Sequence, residues 1–413
     1  MKIYLLYWKH KYGAVEYLAE TLATALRENG CQATTVTMQG EEAARQVGGM
    51  VADKQADLVI AMTPDALGFT IGGRTLMEIM PCRLAIVFMD SPIYLSRRMA
   101  GLVEKLPSDT LMLFWDARQA QQARRHHDDL HSGRFITHFW PIGSMAPMPA
   151  MEDREDRAFD LTLLMNLDDQ ISAHFVRQDQ WTGAFPDLAS TAFRGAQEKI
   201  ARLAMSLVPG HYDTDLVDLL SAEAGIRQPL AVHADNDLAT TFDSYLKRYR
   251  RLAVCRALVQ SPYARSLRVA VYGTGWERVG DFPDRWVRFN QISYQSQFSV
   301  FQQTKAVLNM DPNWTTGIHD RVLNAAACRA MSVTSQNRYS TIVMQNGTDS
   351  AQYAAAAELP GVLEDALPNW RSITERALTS ITMASLWRDR CREIINFMSG
   401  QYKPAADSGL ARR

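Results

Sequence analysis

The 413-residue chain is predicted to be an α/β protein of two Rossmann-like domains that face a central cleft. Three observations predict this fold class. Short apolar strands alternate with helical stretches in two separate regions, which is typical of parallel sheets covered by helices on both faces. A charged stretch that contains prolines and lacks periodicity separates the two regions. The chain is also longer than one compact core usually holds, since domains average roughly 150 residues.

The first domain is predicted over residues 1–150. Lys2–Tyr7 has the continuous apolar character of a buried strand. The helix that follows has apolar residues at three-to-four-residue spacing and is expected to end at Asn29-Gly30. Further strands of this domain are predicted at Ala33–Thr37, Asp57–Met62, Leu84–Met89, Leu111–Trp115 and Phe135–Phe139.

The second domain is predicted over residues 151–400, after a linker at Ser144–Arg157, and contains a helical insertion at about residues 168–260. Its strands are predicted at Phe159–Met165, Arg268–Gly273, Trp286–Asn290, Ala306–Asp311 and Met331–Ser335. Residues 401–413 have the composition of a loose tail. Ligands of such sheets bind at the carboxyl ends of the strands, so the loops that leave those ends are where function is expected.

Charge and cysteine content exclude several classes of function. The formal net charge is −1 at pH 7, which gives no electrostatic reason to expect nucleic acid or an anionic membrane as a partner. No apolar run approaches the roughly 20 residues of a membrane span. The five cysteines are scattered and lack Cys-x-x-Cys spacing, which favours reduced thiols in a cytoplasmic protein over a disulfide framework.

A turn with two glycines follows the predicted strand Arg268–Gly273. It contains Gly273, Gly275 and Trp276. Glycines at a corner between a strand and a helix allow a tight turn and let backbone amides approach an anion or a sugar closely. A plain turn is the alternative, because the third glycine of the dinucleotide-binding fingerprint is missing.

A polar loop and a helix start follow another predicted strand of this domain, Ala306–Asp311. That strand delivers Asn309 to a loop that ends at Gly317, and the helix behind it has His319 and Arg321 at its N-terminus. Amide donors, the helix dipole and a fixed arginine together suit a diphosphate. A capped surface helix is the alternative interpretation.

These pieces follow one another between Val269 and Asn337: Gly-x-Gly-Trp, a Tyr-x-x-x-Phe helix, an AVLNMD strand and Gly-x-His-x-Arg-Val-x-Asn-Ala-Ala-Ala-Cys. In order and spacing this region resembles the C-terminal domain of CgeB-like glycosyltransferases, which have the GT-B fold. The resemblance implies that this domain holds a nucleotide-diphosphate-sugar donor, and we expect no further cofactor. The predicted donor-binding residues are Gly273, Gly275, Trp276, Asn309, Gly317, His319, Arg321 and Asn324.

Two positions depart from the family pattern. Many GT-B enzymes have a glutamate that contacts the donor in the helix corresponding to Arg321–Cys328, whereas this stretch carries Asn324 and no glutamate. An asparagine can donate and accept hydrogen bonds but carries no charge, so the donor's identity stays open. Arg329 stands where the family commonly has a glycine.

A catalytic base is predicted in the first domain, where Asp90, Asp65 and His10 follow three predicted strands. The loops that carry them are expected to open on one edge of the sheet. An inverting transferase needs a base that deprotonates the acceptor hydroxyl, and we rank Asp90 first, then Asp65 and His10. A turn that caps the next helix is the alternative for Asp90, and a retaining enzyme needs no such base.

No metal site is predicted. Asp-x-Asp is absent from every convincing strand end, and the run His126-His127-Asp128-Asp129 fits a solvated helix. The basic cluster Lys247–Arg251 could contact a phosphate, but it is likewise interpreted as the solvated face of a helix. The developing diphosphate charge is expected to be stabilised by Arg321, backbone amides and the helix dipole.

Taken together, the sequence predicts a cytoplasmic, metal-independent glycosyltransferase that moves a sugar from a nucleotide-diphosphate donor to a glycan or protein acceptor. Two alternatives stay open. One is a GT-B-like binding or scaffold protein without catalytic activity. The other is a different two-domain nucleotide-sugar enzyme, such as an epimerase.

Overall fold

The structure is a computed structural model that describes residues 1–53, 56–79, 82–90, 106–126, 135–149, 157–167, 246–247, 250–279, 281–310, 314–384 and 386–400. Several sequence-based predictions fall elsewhere in the chain. Most of the helical insertion expected at about residues 168–260, the expected tail at 401–413 and the residues His127, Asp128 and Asp129 lie outside the described residues.

The chain divides into two compact units. The first consists of Met1–Ala146, Ser293–Ser296 and Thr382–Arg413, and the second of Pro147–Ile292 and Gln297–Ile381. In its described part, each unit contains a six-stranded sheet. All neighbouring strands in both sheets are parallel, which confirms the predicted fold class of two Rossmann-like α/β domains.

The sheet of the first unit matches the strands predicted from apolar runs to within one residue at each end. Its strands are β1 (Lys2–Tyr7), β2 (Gln32–Thr37), β3 (Leu58–Ala61), β6 (Arg83–Phe88), β7 (Leu111–Phe114) and β8 (Ile136–Phe139), and a short antiparallel hairpin contains β4 (Thr70–Ile71) and β5 (Arg74–Thr75). The spatial order is β2-β1-β3-β6-β7-β8. The chain therefore changes direction between β1 and β3, which is the switch point of this sheet.

The helices of the N-terminal half are α1 (Ala14–Glu28), α2 (Gly40–Asp53), α3 (Leu76–Ile79) and α4 (Ala117–His126). Helix α1 buries Leu18, Leu22 and Leu26 along one face. It ends as predicted, because Gly30 adopts a left-handed conformation with φ 81° and the Cys31 amide donates to the Leu26 carbonyl at 3.1 Å.

The sheet of the second unit has the doubly wound order β11-β10-β9-β12-β13-β14. Its strands are β9 (Phe159–Leu164), β10 (Val269–Tyr272), β11 (Trp286–Phe289), β12 (Thr304–Asn309), β13 (Met331–Ser335) and β14 (Ala351–Tyr353). The first strand is central, the next two lie on one side and the last three on the other. The switch point, where ligands bind in such sheets, lies between β9 and β12.

The helices of the C-terminal half are α5 (Pro262–Ser266), α6 (Ser296–Gln302), α7 (Asp320–Ala327), α8 (Ser340–Val343), α9 (Leu359–Ala366), α10 (Trp370–Ala384) and α11 (Trp387–Met398). Residues 250–260 are helical as well. They bury Leu258 and Val259 in the same apolar cluster as Val271 of β10 and Leu308 of β12. None of the described helices is long and apolar enough to cross a membrane.

Helix α11 belongs to the first unit, although the sequence-based boundary placed residues up to 400 in the second domain. The ring of Trp387 lies 5.4 Å from that of Trp140. A Cβ atom at Gly143 would come within 2.5 Å of the Trp387 ring, so that glycine makes room for it. The apolar face of α11 was visible in the sequence, but periodicity does not say which sheet a helix covers.

Candidate functional site

The switch point of the second sheet positions an arginine. Asn309 is the last residue of β12 and is buried. Its Oδ1 accepts a hydrogen bond from Nη1 of Arg321 at 3.3 Å, and its Nδ2 lies 3.4 Å from the Thr334 hydroxyl of β13. A central strand therefore holds the Arg321 side chain beside the edge at which a ligand is expected.

His319 caps the helix that carries this arginine. Its Nδ1 accepts a hydrogen bond from the Arg321 amide at 3.1 Å, so the neutral imidazole carries its proton on Nε2. The Trp314 ring stacks on the imidazole, with 5.3 Å between the ring centroids and 27° between the planes. The residues predicted at the start of α7 are thus held together by one cap and one stacked ring.

Burial sets the protonation of this helix start. It lowers the pKa of His319 well below its usual value, and the charges of Arg321 and Arg251 lower that pKa further. Burial also raises the pKa of Asp320, to about 6, although Arg321 opposes the shift. At neutral pH the helix start therefore combines a neutral histidine with an aspartate and an arginine.

Asn337, which no sequence motif had singled out, clamps the loop before α7. Its Nδ2 donates to the carbonyls of Trp314 and Gly317, both at 3.0 Å. Its Oδ1 accepts from the amides of Tyr339 and Ser340, at 3.0 and 2.7 Å. The side chain is almost fully buried. The Nδ2 atom thus holds the loop before α7, partly through the Gly317 carbonyl, and the Oδ1 atom holds the turn after β13. One side chain connects the two segments.

Arg251 also lies close to this site. Its Nη1 donates to the carbonyl of Asn166, which follows β9, at 3.1 Å. Its charge lowers the pKa of His319. Arg250 beside it is fully buried. The interpretation of Lys247–Arg251 as a solvated face is therefore wrong for these two arginines.

Gly273 packs against the neighbouring loop. Its φ of 121° is unfavourable for other residues, and a Cβ atom there would lie 2.2 Å from the Met165 carbonyl oxygen. The Leu167 amide donates to the Thr274 carbonyl at 2.8 Å, and the Thr274 amide donates to Asn166 Oδ1 at 3.2 Å. Glycine is thus required where the loops after β9 and β10 cross.

Two other predicted donor contacts are placed differently. Gly275, with φ 81°, is buried in the turn itself. Trp276 is 2% exposed and belongs to the apolar core, where its ring makes an edge contact with Phe282. We therefore reassign Trp276 from donor binding to the apolar core. In the sequence, a tryptophan after a glycine turn is compatible with either role.

Asn324, one of the predicted donor-binding residues, lies in α7 three residues after Arg321. It is 4% exposed. Three residues along a helix bring two side chains to the same face, so Asn324 and Arg321 are neighbours on α7. The Asn324 amide therefore lies on the same face of α7 as Arg321.

The first sheet carries His10, Asp65 and Asp90 at the carboxyl ends of its strands. His10 follows β1 and is exposed, and its amide donates to both oxygens of the Glu16 carboxylate at 3.0 Å. Asp65 is half-buried in a short 3₁₀ turn after β3, and Asp90 is exposed two residues after β6. Ligands of such sheets bind at the switch point, which here lies between β1 and β3. His10 and Asp65 follow these two strands, whereas Asp90, which the sequence pattern ranked first, follows β6.

Comparison with known proteins supports the same fold. A family model described as "Glycosyl transferase-like" matches residues 250–396. The structure is similar to that of Anabaena Alr3699/HepE in complex with UDP-glucose, with a TM-score of 0.56, 11% identity and coverage of 97% of this chain and 100% of that chain. It is also similar to WaaG, a glycosyltransferase involved in lipopolysaccharide biosynthesis, with a TM-score of 0.51, 11% identity and coverage of 97% and 100%. No curated relative matches the chain by sequence. At such identities the likeness shows the fold, which is GT-B.

Proposed function

We propose that this chain is a glycosyltransferase whose second unit binds a nucleotide-diphosphate sugar. The observation that carries the proposal is Arg321, which Asn309 holds at the switch point of a doubly wound sheet, on the first turn of α7. A guanidinium beside the amides of a helix N-terminus is well suited to a diphosphate. Arg251 adds a second cation close by.

The comparisons support this assignment. The matched family segment, residues 250–396, includes Arg251, Asn309, Arg321 and Asn337. A protein of the same fold was solved with UDP-glucose bound. The order of motifs between Val269 and Asn337 further favours the CgeB-like transferases among GT-B enzymes.

Within the proposed donor site, each residue has a physical role. Arg321 pairs with the diphosphate, and Gly317 and His319 shape the loop and cap beside it. Gly273 and Gly275 bring the β10 turn close to the β9 loop. Asn324 offers hydrogen bonds without charge, on the same face of α7 as Arg321.

The chemistry we propose needs neither metal nor cofactor, because Arg321, Arg251 and the helix dipole can stabilise the leaving diphosphate. Among the described residues, no group of three or more His, Cys, Asp or Glu side chains is placed to hold a metal ion. Transfer activity that survives chelation with EDTA supports this part of the proposal. Activity that needs an added divalent cation contradicts it.

For the acceptor side, we propose His10 or Asp65 as the base of an inverting reaction, with a glycan or protein hydroxyl as the acceptor in the cytoplasm. These two residues flank the switch point of the first sheet, whereas Asp90 follows the next strand. Asp65→Asn is therefore expected to lower kcat at least tenfold, and Asp90→Asn by less. Equal losses, measured with the same donor and acceptor, would favour a base elsewhere or a retaining reaction.

The first experiment is a calorimetric screen against UDP, GDP, CMP, dTDP, ADP and their sugars, followed by product analysis. Selective binding of one nucleotide and transfer of its sugar to an acceptor establish the function. Conversion of the nucleotide sugar without an acceptor indicates an epimerase-type enzyme instead.

A binding protein without catalytic activity is the second candidate. Asn324 favours it, because a buried amide replaces the carboxylate of the family pattern. Tight donor binding without turnover, restored to turnover by Asn324→Glu, would identify this second function.

A further inference from the structure

Three arginines lie at the edge of the second sheet opposite to the proposed donor site. Arg157 stands two residues before β9, Arg329 two residues before β13, and Arg371 is the second residue of α10. We refer to these three side chains as the arginine cluster. The guanidinium carbons of Arg157 and Arg371 lie 5.3 and 5.4 Å from the centre of the Trp370 ring. Arg157 Nη2 also donates to the Arg329 carbonyl at 3.2 Å.

Arg157 and Arg329 form no ion pair within the described part of the chain. Asp160, which lies in β9 three residues after Arg157, is engaged by Lys305 at 2.8 Å and by Arg268 at 3.5 Å. Arg157 Nη1 and Arg329 Nε are buried and have no acceptor among the described residues. Burial lowers the pKa of Arg157, and the charges of Arg371 and Arg329 lower it further. Buried cationic N–H groups without acceptors are unfavourable unless an anion binds them.

Arg329 is also held in a backbone conformation that favours glycine. It has φ 59°, and it is the one non-glycine residue with a positive φ in the described part of the chain. The amides of Arg329 and Ala330 donate to the carbonyls of Ala326 and Ala325, both at 2.9 Å. This is the usual glycine-capped helix end, with arginine at the glycine position. An arginine at such a position has a conformational cost, which points to a use for its guanidinium.

We propose that the arginine cluster binds a phosphate-type anion, at a site separate from the one that contains Arg321. Guanidinium groups recognise phosphate oxygens through paired hydrogen bonds, and the Trp370 ring orients two of the three. Arg371 is exposed, so this side of the cluster is open to solvent. The inference does not depend on the proposed transferase function. The anion can come from a soluble phosphorylated compound or from a lipid headgroup.

The test compares thermal unfolding in inorganic phosphate and in chloride at equal ionic strength. The wild-type protein should gain about 2 °C in Tm at roughly ten times the Kd for phosphate. Arg329→Gly should lose this gain, and glycine suits the conformation of residue 329, so the variant is expected to fold. Arg321→Ala, which removes the guanidinium of the proposed donor site, should still show a larger gain than Arg329→Gly, since the two sites are separate. Arg371→Gln should weaken phosphate binding at least threefold in calorimetry.

Four results would overturn the proposal, and the first three concern the Tm. They are a wild-type Tm that is the same in phosphate and chloride, an unchanged gain in Arg329→Gly, and a gain that disappears in Arg321→Ala. A fourth concerns Glu155 and Asp156, which precede Arg157 in sequence. If phosphate binds only to the variant Glu155→Gln/Asp156→Asn, the chain's own carboxylates occupy the cluster and the proposal is wrong.

A sedimentation assay distinguishes the two sources of phosphate. Vesicles of phosphatidylcholine with phosphatidic acid should sediment the wild-type protein more than Arg329→Gly if the cluster binds a headgroup. A Tm gain in free phosphate without sedimentation assigns a soluble phosphorylated compound.

Discussion

The carboxyl edges of the two sheets differ in how firmly they hold their polar groups. In the second unit, Asn309 fixes Arg321 and Asn337 fixes the loop before α7. In the first unit, the candidates His10 and Asp90 are exposed. Groups held before a ligand arrives stabilise developing charge without reorganising. This contrast supports our proposals that the second edge binds the donor diphosphate and that the first edge receives the acceptor.

The largest effect is expected at Arg321. Removal of one such electrostatic contact costs ~3 kcal/mol of transition-state stabilisation, so Arg321→Ala should lower the transfer rate roughly a hundredfold. Arg285→Ala is the matched control, because this exposed arginine precedes β11 and makes one hydrogen bond to the Ser266 carbonyl at 2.7 Å. It should keep the wild-type rate. Equal transfer rates for the two folded variants would show that Arg321 makes no special contribution, and they would contradict the proposed role of the second edge.

A pair of glycines compares how tightly the two edges are packed. Gly273→Ala places a Cβ atom against the Met165 carbonyl, which should cost about 2 kcal/mol in the free energy of unfolding. Gly13 in the loop after β1 also has a positive φ, 73°, but a Cβ atom at this residue would meet no other atom within 4 Å. Gly13→Ala should therefore cost only about 1 kcal/mol, the conformational part. Urea unfolding measures both, and a larger loss for Gly13→Ala would contradict this packing.

A pair of asparagines tests the clamp. Asn337→Ala leaves buried carbonyls and amides without partners, which should cost about 2 kcal/mol of stability and weaken donor binding. Asn29 in the first unit also donates twice, to the carbonyls of Ala25 and Arg388 at 2.8 Å, but it is only half-buried. Water can replace its bonds, so Asn29→Ala should cost less than about 1 kcal/mol. Chemical denaturation of both variants decides whether burial makes the difference.

The smallest effect is a pH dependence of donor binding. Burial raises the pKa of Asp320 to about 6, so its carboxyl is charged above that pH and neutral below it. A charged carboxylate repels a diphosphate. The affinity for a nucleotide sugar should therefore increase about threefold when the pH is lowered from about 7.5 to about 5.5. Burial keeps the pKa of His319 well below its usual value, so the histidine stays neutral and contributes nothing. Asp320→Asn should bind equally at both pH values; a persisting rise would assign it to another group.

The six strands of the first sheet and five of the six strands of the second were predictable because their signal is local, whereas β14 (Ala351–Tyr353) was not predicted. Continuous apolar runs such as Leu111–Phe114 and the turn signal at Asn29-Gly30 lie within a few residues of the elements that they define. The start of α7 was predictable for the same reason, since the loop glycine, the cap and the arginine are adjacent in sequence. Local patterns therefore predicted these elements, and the binding of a diphosphate at the start of α7 stays a prediction.

The partners of those residues were not predictable, because they come from distant parts of the chain. Arg251 reaches the site from a helix that precedes β10, and its bond to Asn166 joins residues far apart in sequence. Asn337 acts across a strand and a helix on Trp314. Trp276 is the opposite case, a residue whose local pattern misled. Its position after a glycine turn suggested a ligand contact, but its ring packs in the core. Strand order, which ranks Asp65 above Asp90, also depends on the folded chain.

The most direct test of a donor site in the second unit is calorimetry with Arg321→Ala and Arg285→Ala, using the nucleotide sugar that binds the wild-type protein most tightly. We predict that Arg321→Ala raises the Kd at least tenfold, while Arg285→Ala keeps the wild-type value. Wild-type affinity in folded Arg321→Ala would contradict the assignment of the diphosphate to the start of α7.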